Sequence, residues 1–174
     1  MAITIVATVG SASANSFVTL AEMTTHMEGR LNSDTFDDAT TDNQNRALAE
    51  ATRELSALMW DGYRVDDTQA LSWPRQWAYD PDSPTQDYFA TTVVPERVKR
   101  ATYELAFEFL KAGTTDIAAL DSDRLIKREK IDVIETEYVD PGQRPKGLSR
   151  YPSVMREIAP LLTSPTLSTE VWRG

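Results

Sequence analysis

One helix constrains this chain more than any other feature. In PERVKRATYELAFEFLK, residues 95–111, the apolar residues Val98, Ala101, Leu105 and Phe109 recur at +3, +4 and +4, with Val94 ahead of them in phase. Tyr103, Ala106, Phe107 and Leu110 form a second apolar row, which leaves Arg97, Arg100, Glu104, Glu108 and Lys111 in a narrow charged stripe. A helix that is apolar over most of its circumference has to be covered on several sides, so it belongs at the centre of the fold. Pro95 suits the first helical position, where a missing N–H costs nothing, and Gly113 suits a left-handed cap at the far end.

The rest of the chain supplies the cover. Ile3, Ile5, Ala7 and Val9 alternate with Thr4, Val6 and Thr8, the pattern of a strand or extended arm over residues 1–16. Thr19 and Glu22 have capping-box spacing, and Leu20, Met23, Met27 and Leu31 then give one helical face. Asn32 to Thr41 is polar and reads as a loop. A second helix runs from Thr41 or Asp42 to about Trp60, with Leu48, Ala51, Leu55 and Leu58/Met59 inward. Residues 63–92 carry aromatics among prolines and show no regular period, and a loop of that length in a compact domain is usually functional or partner-bound. Beyond the central helix, residues 114–123 suggest one helical turn, Ile131 to Val139 a strand, and residues 140–150 a flexible connection. A last helix opens at Pro152 and ends or kinks at Pro160. The expected fold is mainly α: a small bundle of about four helices around 95–111, with a minor β element and extended N- and C-terminal arms. Residues 1–162 make one domain and 163–174 a tail.

Composition excludes more than it proposes. The formal charge is −9, from 18 Lys and Arg against 27 Asp and Glu, and such a surface repels phosphate backbones. With no cysteine, disulfides, thiol chemistry and Cys-based zinc sites are ruled out, and the single histidine, His26, removes His-rich metal sites. No apolar run approaches a transmembrane span, and residues 3–9 lack the basic start of a signal peptide, so synthesis in the cytoplasm is expected.

The candidate sites are few. His26 reads as a surface histidine with no triad partners. Glu104 and Glu108, four apart, read as part of a solvated charge ladder. Asp80, Asp82 and Asp87 have a trace of calcium-loop spacing without the central glycine or closing glutamate, and a metal-dependent hydrolase built on them is the weakest reading. No phosphate-binding glycine motif occurs. No enzyme, metal or cofactor is expected. The aromatic stretch is the most informative. Trp60, Trp73, Trp77 and Tyr79, with Arg64 and Arg75, could stack unpaired bases, form a protein interface, or fold back onto the central helix. Scarce basic residues nearby argue against nucleic acid.

Six segments taken in order resemble a known family. They are ANSFVTLAE (14–22), ATRELSALMWDGYR (51–64), ALSWPR (70–75), VPERVKRATYELA (94–106), KIDVIETEYVD (130–140) and YPSVMREIAPLL (151–162). Together they resemble tailed-bacteriophage proteins often labelled DnaT-like single-stranded-DNA-binding, which are similar to head–tail connectors. The resemblance implies a structural virion protein in a ring of about twelve copies beneath the portal. Such a ring extends the channel for packaged double-stranded DNA without binding it specifically, docks a tail, stopper or nozzle protein, and has no membrane partner. It places portal contacts on Leu161, Leu162, Leu167, Val171, Trp172 and Arg173. Contacts between ring neighbours fall on Trp73, Arg75, Trp77, Tyr79, Tyr88, Phe89, Ile3 and Ile5. The alternative is a single-stranded-DNA-binding replication accessory protein.

Overall fold

A computed structural model describes residues 3–113, 128–131, 134–137 and 147–163. Its order is α1 (Leu20–Glu28), α2 (Asp34–Asp37), α3 (Thr41–Ser56), β1 (Tyr63–Arg64), β2 (Arg75–Gln76), α4 (Glu96–Ala112), β3 (Arg128–Ile131), β4 (Ile134–Glu137) and α5 (Pro152–Ile158). Short 3-10 turns at Gly147–Arg150 and Ala159–Leu161 flank α5. The protein is mainly helical with a small β component, as the apolar periodicity requires.

The central helix is α4. Its buried residues are Val98, Ala101, Thr102, Tyr103, Leu105, Ala106, Phe107 and Phe109, spread over both apolar rows. Each fully buried large side chain contributes about 1.5–3 kcal/mol of transfer free energy, so this one helix dominates the core. It packs against α3, α5 and α2. Thr102 satisfies its buried hydroxyl by donating to the Val98 carbonyl at 2.8 Å. Pro95 sits one residue ahead of its expected place as the extended N-cap, and Gly113 adopts the left-handed cap at φ +67°.

The capping box at Thr19 is present. The Glu22 N–H donates to the Thr19 hydroxyl at 3.2 Å, and the Thr19 N–H donates to the Glu22 carboxylate at 2.7 Å. Helix α1 stops at Glu28, so Leu31 loses helical phase and is 88% exposed, outside the core where the spacing had placed it. The stretch 32–41 contains α2, which exists to bury Phe36 at 2% exposure. Helix α3 ends at Ser56, four residues early, because the chain must turn to bring Trp60 inward.

The N-terminal segment is an arm without a sheet. Asn15 stands in for a strand partner: its Oδ1 accepts from the Val6 N–H at 2.8 Å and its Nδ2 donates to the Thr4 carbonyl at 2.8 Å. Asp42 and Asn45 of α3 bind both backbone groups of Ile3. Ile5 packs against the core of its own chain. The single strand expected over 131–139 is a hairpin instead. Arg128 pairs with Glu137, Lys130 with Glu135 and Ile131 with Ile134 in antiparallel register. Pro160 ends α5 as expected, with a 3-10 turn taking over at Ala159. The turn expected over 114–123, most of the connection 140–150 and tail residues 164–174 lie outside the described residues.

Candidate binding surface

The segment 59–93 closes on itself through backbone groups. Gly62, at φ +69°, brings the Asp61–Gly62 turn so close to residues 76–78 that a Cβ there would overlap the Gln76 carbonyl oxygen and the Ala78 nitrogen. Arg75 then gathers four carbonyls: Nε donates to Asp61 at 2.6 Å, Nη1 to Ser72 at 3.1 Å, and Nη2 to Trp60 at 3.3 Å and to Gly62. Gln69, 2% exposed, uses its whole amide. Oε1 accepts from the Val65 and Asp66 N–H groups, and Nε2 donates to the Leu71 and Pro74 carbonyls. A buried polar side chain is tolerated only when satisfied in this way.

Inside this frame sits Trp73, 1% exposed and edge-to-face with both Trp60 and Phe89 at 5.7 Å. The Trp60 indole donates to the Leu55 carbonyl at 2.8 Å. The sequence reading offers Trp73 folding back onto the central helix; it does turn inward, and its ring contacts are Trp60 and Phe89. Its side chain is closed off from the surface of this chain. Arg75 is likewise spent on its own loop, burial holding its guanidinium below the usual pKa, and Phe89 is half-buried against Trp73. Leu161, assigned a portal contact, is also withdrawn from the surface at 1% exposure. Leu162 is half-buried and bridges to Trp60. Leu167, Val171, Trp172 and Arg173 lie outside the described residues.

Outside the frame is an aromatic ledge. Trp77, Tyr79 and Tyr88 are 62%, 40% and 55% exposed, and Tyr63, which the sequence reading passed over, is 70% exposed. Trp77 meets Tyr88 edge to face at 5.5 Å, Tyr79 is bridged to Tyr88, and Tyr63 pairs with Gln76 beside Trp77. Trp77 holds φ +60°, a left-handed conformation that costs a bulky residue about 1–3 kcal/mol and turns this ring outward. Seven of the nine exposed large apolar residues among the described residues fall in the segment from Met59 to Val93. The signal for Tyr63 was available, since it directly follows the Asp-Gly turn.

The flanking turn is acidic. Asp80 N–H donates to the Asp87 carbonyl and Phe89 N–H to the Ala78 carbonyl, each at 3.0 Å, so the turn 81–86 projects from a short paired stem. Arg97 of α4 clasps both Asp82 oxygens, at 2.6 and 2.7 Å, and that clasp lowers the Asp82 pKa. Asp87 accepts from the Thr85 hydroxyl, and Asp80 accepts from the Asp82 N–H. These carboxylates are occupied separately, and among the described residues no cluster of His, Asp and Glu could hold a metal ion.

A second polar cluster joins α1 to α4. His26 stacks on Tyr103 at 4.8 Å, with Nε2 3.4 Å from Glu104, and Arg30 pairs with the same carboxylate. Glu104 is 14% exposed, so it is a clamp between helices and not a rung of a solvated ladder. His26 is half-covered by the same contacts. The adjacent groove is lined by Glu22, Glu96 and Lys99, whose charges pair among themselves.

The whole chain, residues 1–174, matches the family described as "Putative DnaT-like ssDNA binding protein", and the protein belongs to that family. No curated protein and no solved structure gives a significant match. The family description favours the single-stranded-DNA alternative of the sequence reading, and nothing in the comparisons points to a head–tail connector. No described helix is long and apolar enough to cross a membrane.

Proposed function

We propose that this chain is a non-catalytic single-stranded-DNA-binding module whose working surface is the ledge of Tyr63, Trp77, Tyr79 and Tyr88. The observation that carries the reading is the exposed Trp77–Tyr88 pair on a backbone held rigid by Arg75 and Gln69, together with the family to which the chain belongs. Stacking on such rings is worth about 1–3 kcal/mol per base and is indifferent to sequence. Phosphate contacts add little. Arg64 is the exposed cation on the ledge, because Arg75 is turned inward and Arg97 faces Asp82. With about one phosphate neutralised, log K should fall with log salt at a slope near −0.7. Fluorescence anisotropy with a labelled oligothymidylate between low and physiological salt tests this. Binding with a shallow slope that Trp77→Ala removes supports it, and no binding at low salt ends it.

A second reading is favoured by the acidic turn itself. Asp80, Asp82 and Asp87 beside the ledge, within a net charge of −9, repel a phosphate backbone. On this reading the protein is a virion subunit of the head–tail neck, and the ledge meets a neighbouring copy, the portal or the next tail protein while packaged duplex slides past. The mass of the complex formed with a portal ring from the same genome separates the two. A stoichiometric complex without oligonucleotide binding selects the second.

A further inference from the structure

Three arginines converge on one carboxylate where α4 meets α5. Glu157 of α5 is 12% exposed, and its Oε2 is buried without a hydrogen-bond partner. Around its two oxygens stand Arg97 Nη1 at 4.0 Å, Arg100 Nη1 at 3.8 Å and Arg156 Nε at 3.7 Å, each too far for a hydrogen bond. The Arg97 and Arg100 nitrogens face the same oxygen and are therefore at most about 8 Å apart, a span that one phosphate bridges with charge-assisted bonds of about 2.7–2.9 Å. Arg100 and Arg156 are 54% and 76% exposed, so both are open to an incoming anion.

The place that a phosphate would take on Arg97 is held by Asp82. Both Asp82 oxygens lie on this guanidinium, at 2.6 and 2.7 Å, in the two-point geometry that arginine offers to carboxylate and phosphate alike. The Arg97 hydrogen bonds keep the Asp82 carboxyl below its usual pKa, and the Arg100 charge adds to the effect. Yet Asp82 is 60% exposed, and an exposed pair of this kind is held weakly.

We infer that Arg97, Arg100 and Arg156 form a phosphate site which Asp82 fills from within, and that a backbone phosphate of single-stranded DNA binds there by exchanging with Asp82. The source of the phosphate rests on the proposed function, and the site itself does not. Asp82 follows Tyr79 by three residues in a turn whose stem pairs Tyr79 with Tyr88, so the exchange takes place beside the ledge. A carboxylate tethered so close has a high effective concentration, which keeps the site masked and leaves Arg64 as the open cation. With Asp82 neutral, the three guanidiniums face only Glu157 and the more distant Asp80.

Asp82→Asn unmasks the site without altering a ring of the ledge. The first probe is inorganic phosphate, titrated into the full chain at constant ionic strength, with the 15N signals of the arginine Nε groups as readout. The expected result is saturable shifts at Arg97 and Arg100 in Asp82→Asn, at a concentration at least about 5-fold lower than in the unaltered chain. Asp87→Asn removes the same charge from the same turn, but Asp87 is engaged by Thr85 and should leave the unaltered behaviour in place. No saturation in Asp82→Asn overturns the inference. Equal shifts in all three chains mean an adventitious ion only, and equal gains in the two variants mean net charge alone; either result overturns it as well. The second probe is oligothymidylate. Asp82→Asn should bind it more tightly and steepen the salt slope from near −0.7 to about −1.4, the mark of one further phosphate. An unchanged slope overturns the backbone phosphate as the ligand. Phosphate saturation with no oligonucleotide bound by any chain ends the DNA reading and leaves the site standing. Oligonucleotide binding without phosphate saturation does the reverse.

Discussion

Trp77 and Tyr88 meet edge to face, ring centroids 5.5 Å apart and planes at 85°, on the outside of the protein where neither gains much from burial. An aromatic pair of this kind adds about 0.5–1.5 kcal/mol, comparable with the backbone cost of holding Trp77 at positive φ. Trp77→Gly relieves the strained backbone and loses the ring contact, so stability should change by less than about 1 kcal/mol. Oligonucleotide affinity should drop about 5- to 100-fold. Chemical denaturation alongside anisotropy measures both, and a large stability loss would show that the ring is structural.

Trp73→Ala should behave in the opposite way. Removing a ring packed between Trp60 and Phe89 costs about 3–5 kcal/mol and lowers binding only through the fold. Thermal melting of the two variants side by side distinguishes frame from ledge.

Gly62→Ala should cost more than the usual surface substitution. The left-handed backbone alone disfavours a Cβ by about 1–2 kcal/mol, and the overlap with residues 76–78 adds to that. Denaturant midpoints report the loss, and protease cleavage between residues 62 and 78 should appear with it.

Acid should loosen the joint between α1 and α4. Burial pushes the Glu104 carboxyl up, but the hydrogen bond and charge of Arg30, with His26 behind them, outweigh it and leave the pKa below the ordinary value. A depressed carboxylate stabilises the fold fully above the unfolded value, about 4.3, and loses that contribution as pH falls through the lower folded value. Melting temperature measured from neutral pH down to about 3 should therefore fall most steeply below pH 4.3, and Glu104→Gln should flatten that limb.

Asp82→Asn should leave the melting temperature nearly unchanged, because the pair with Arg97 is exposed on the Asp82 side. Hydrogen exchange over residues 80–88 should speed up, since the clasp is what ties that turn to α4. Unchanged exchange would show that the 78–80 and 87–89 stem holds the turn by itself.

How far the sequence foretells all this depends on where periodicity exists. Helix α4 is legible because its apolar rows are long, and α1 announces its start through Thr19 and Glu22. Leu31 misleads because spacing does not reveal that the helix has already stopped at Glu28. Phe36 is missed because a four-residue helix has no period to detect. The aromatic stretch is the hard case. Trp73 and Trp77 stand four apart in a loop, one buried and one strained outward, and nothing in their spacing separates them. Their fates are set by Arg75 and Gln69 binding main-chain carbonyls and N–H groups, interactions that leave no hydrophobic pattern. Composition marks the segment, and only the folded backbone sorts its members.

The carbonyls that Arg75 collects and the amides that Gln69 satisfies belong to the main chain, so they would be the same whatever side chains the outer positions carried. On the proposed function, the loop thus separates inheritance of shape from choice of ligand, and substitutions at 63, 77, 79 and 88 would rewrite what the protein recognises without asking the interior to refold. A lineage facing a changing partner could use this segment as interchangeable type set in a fixed forme.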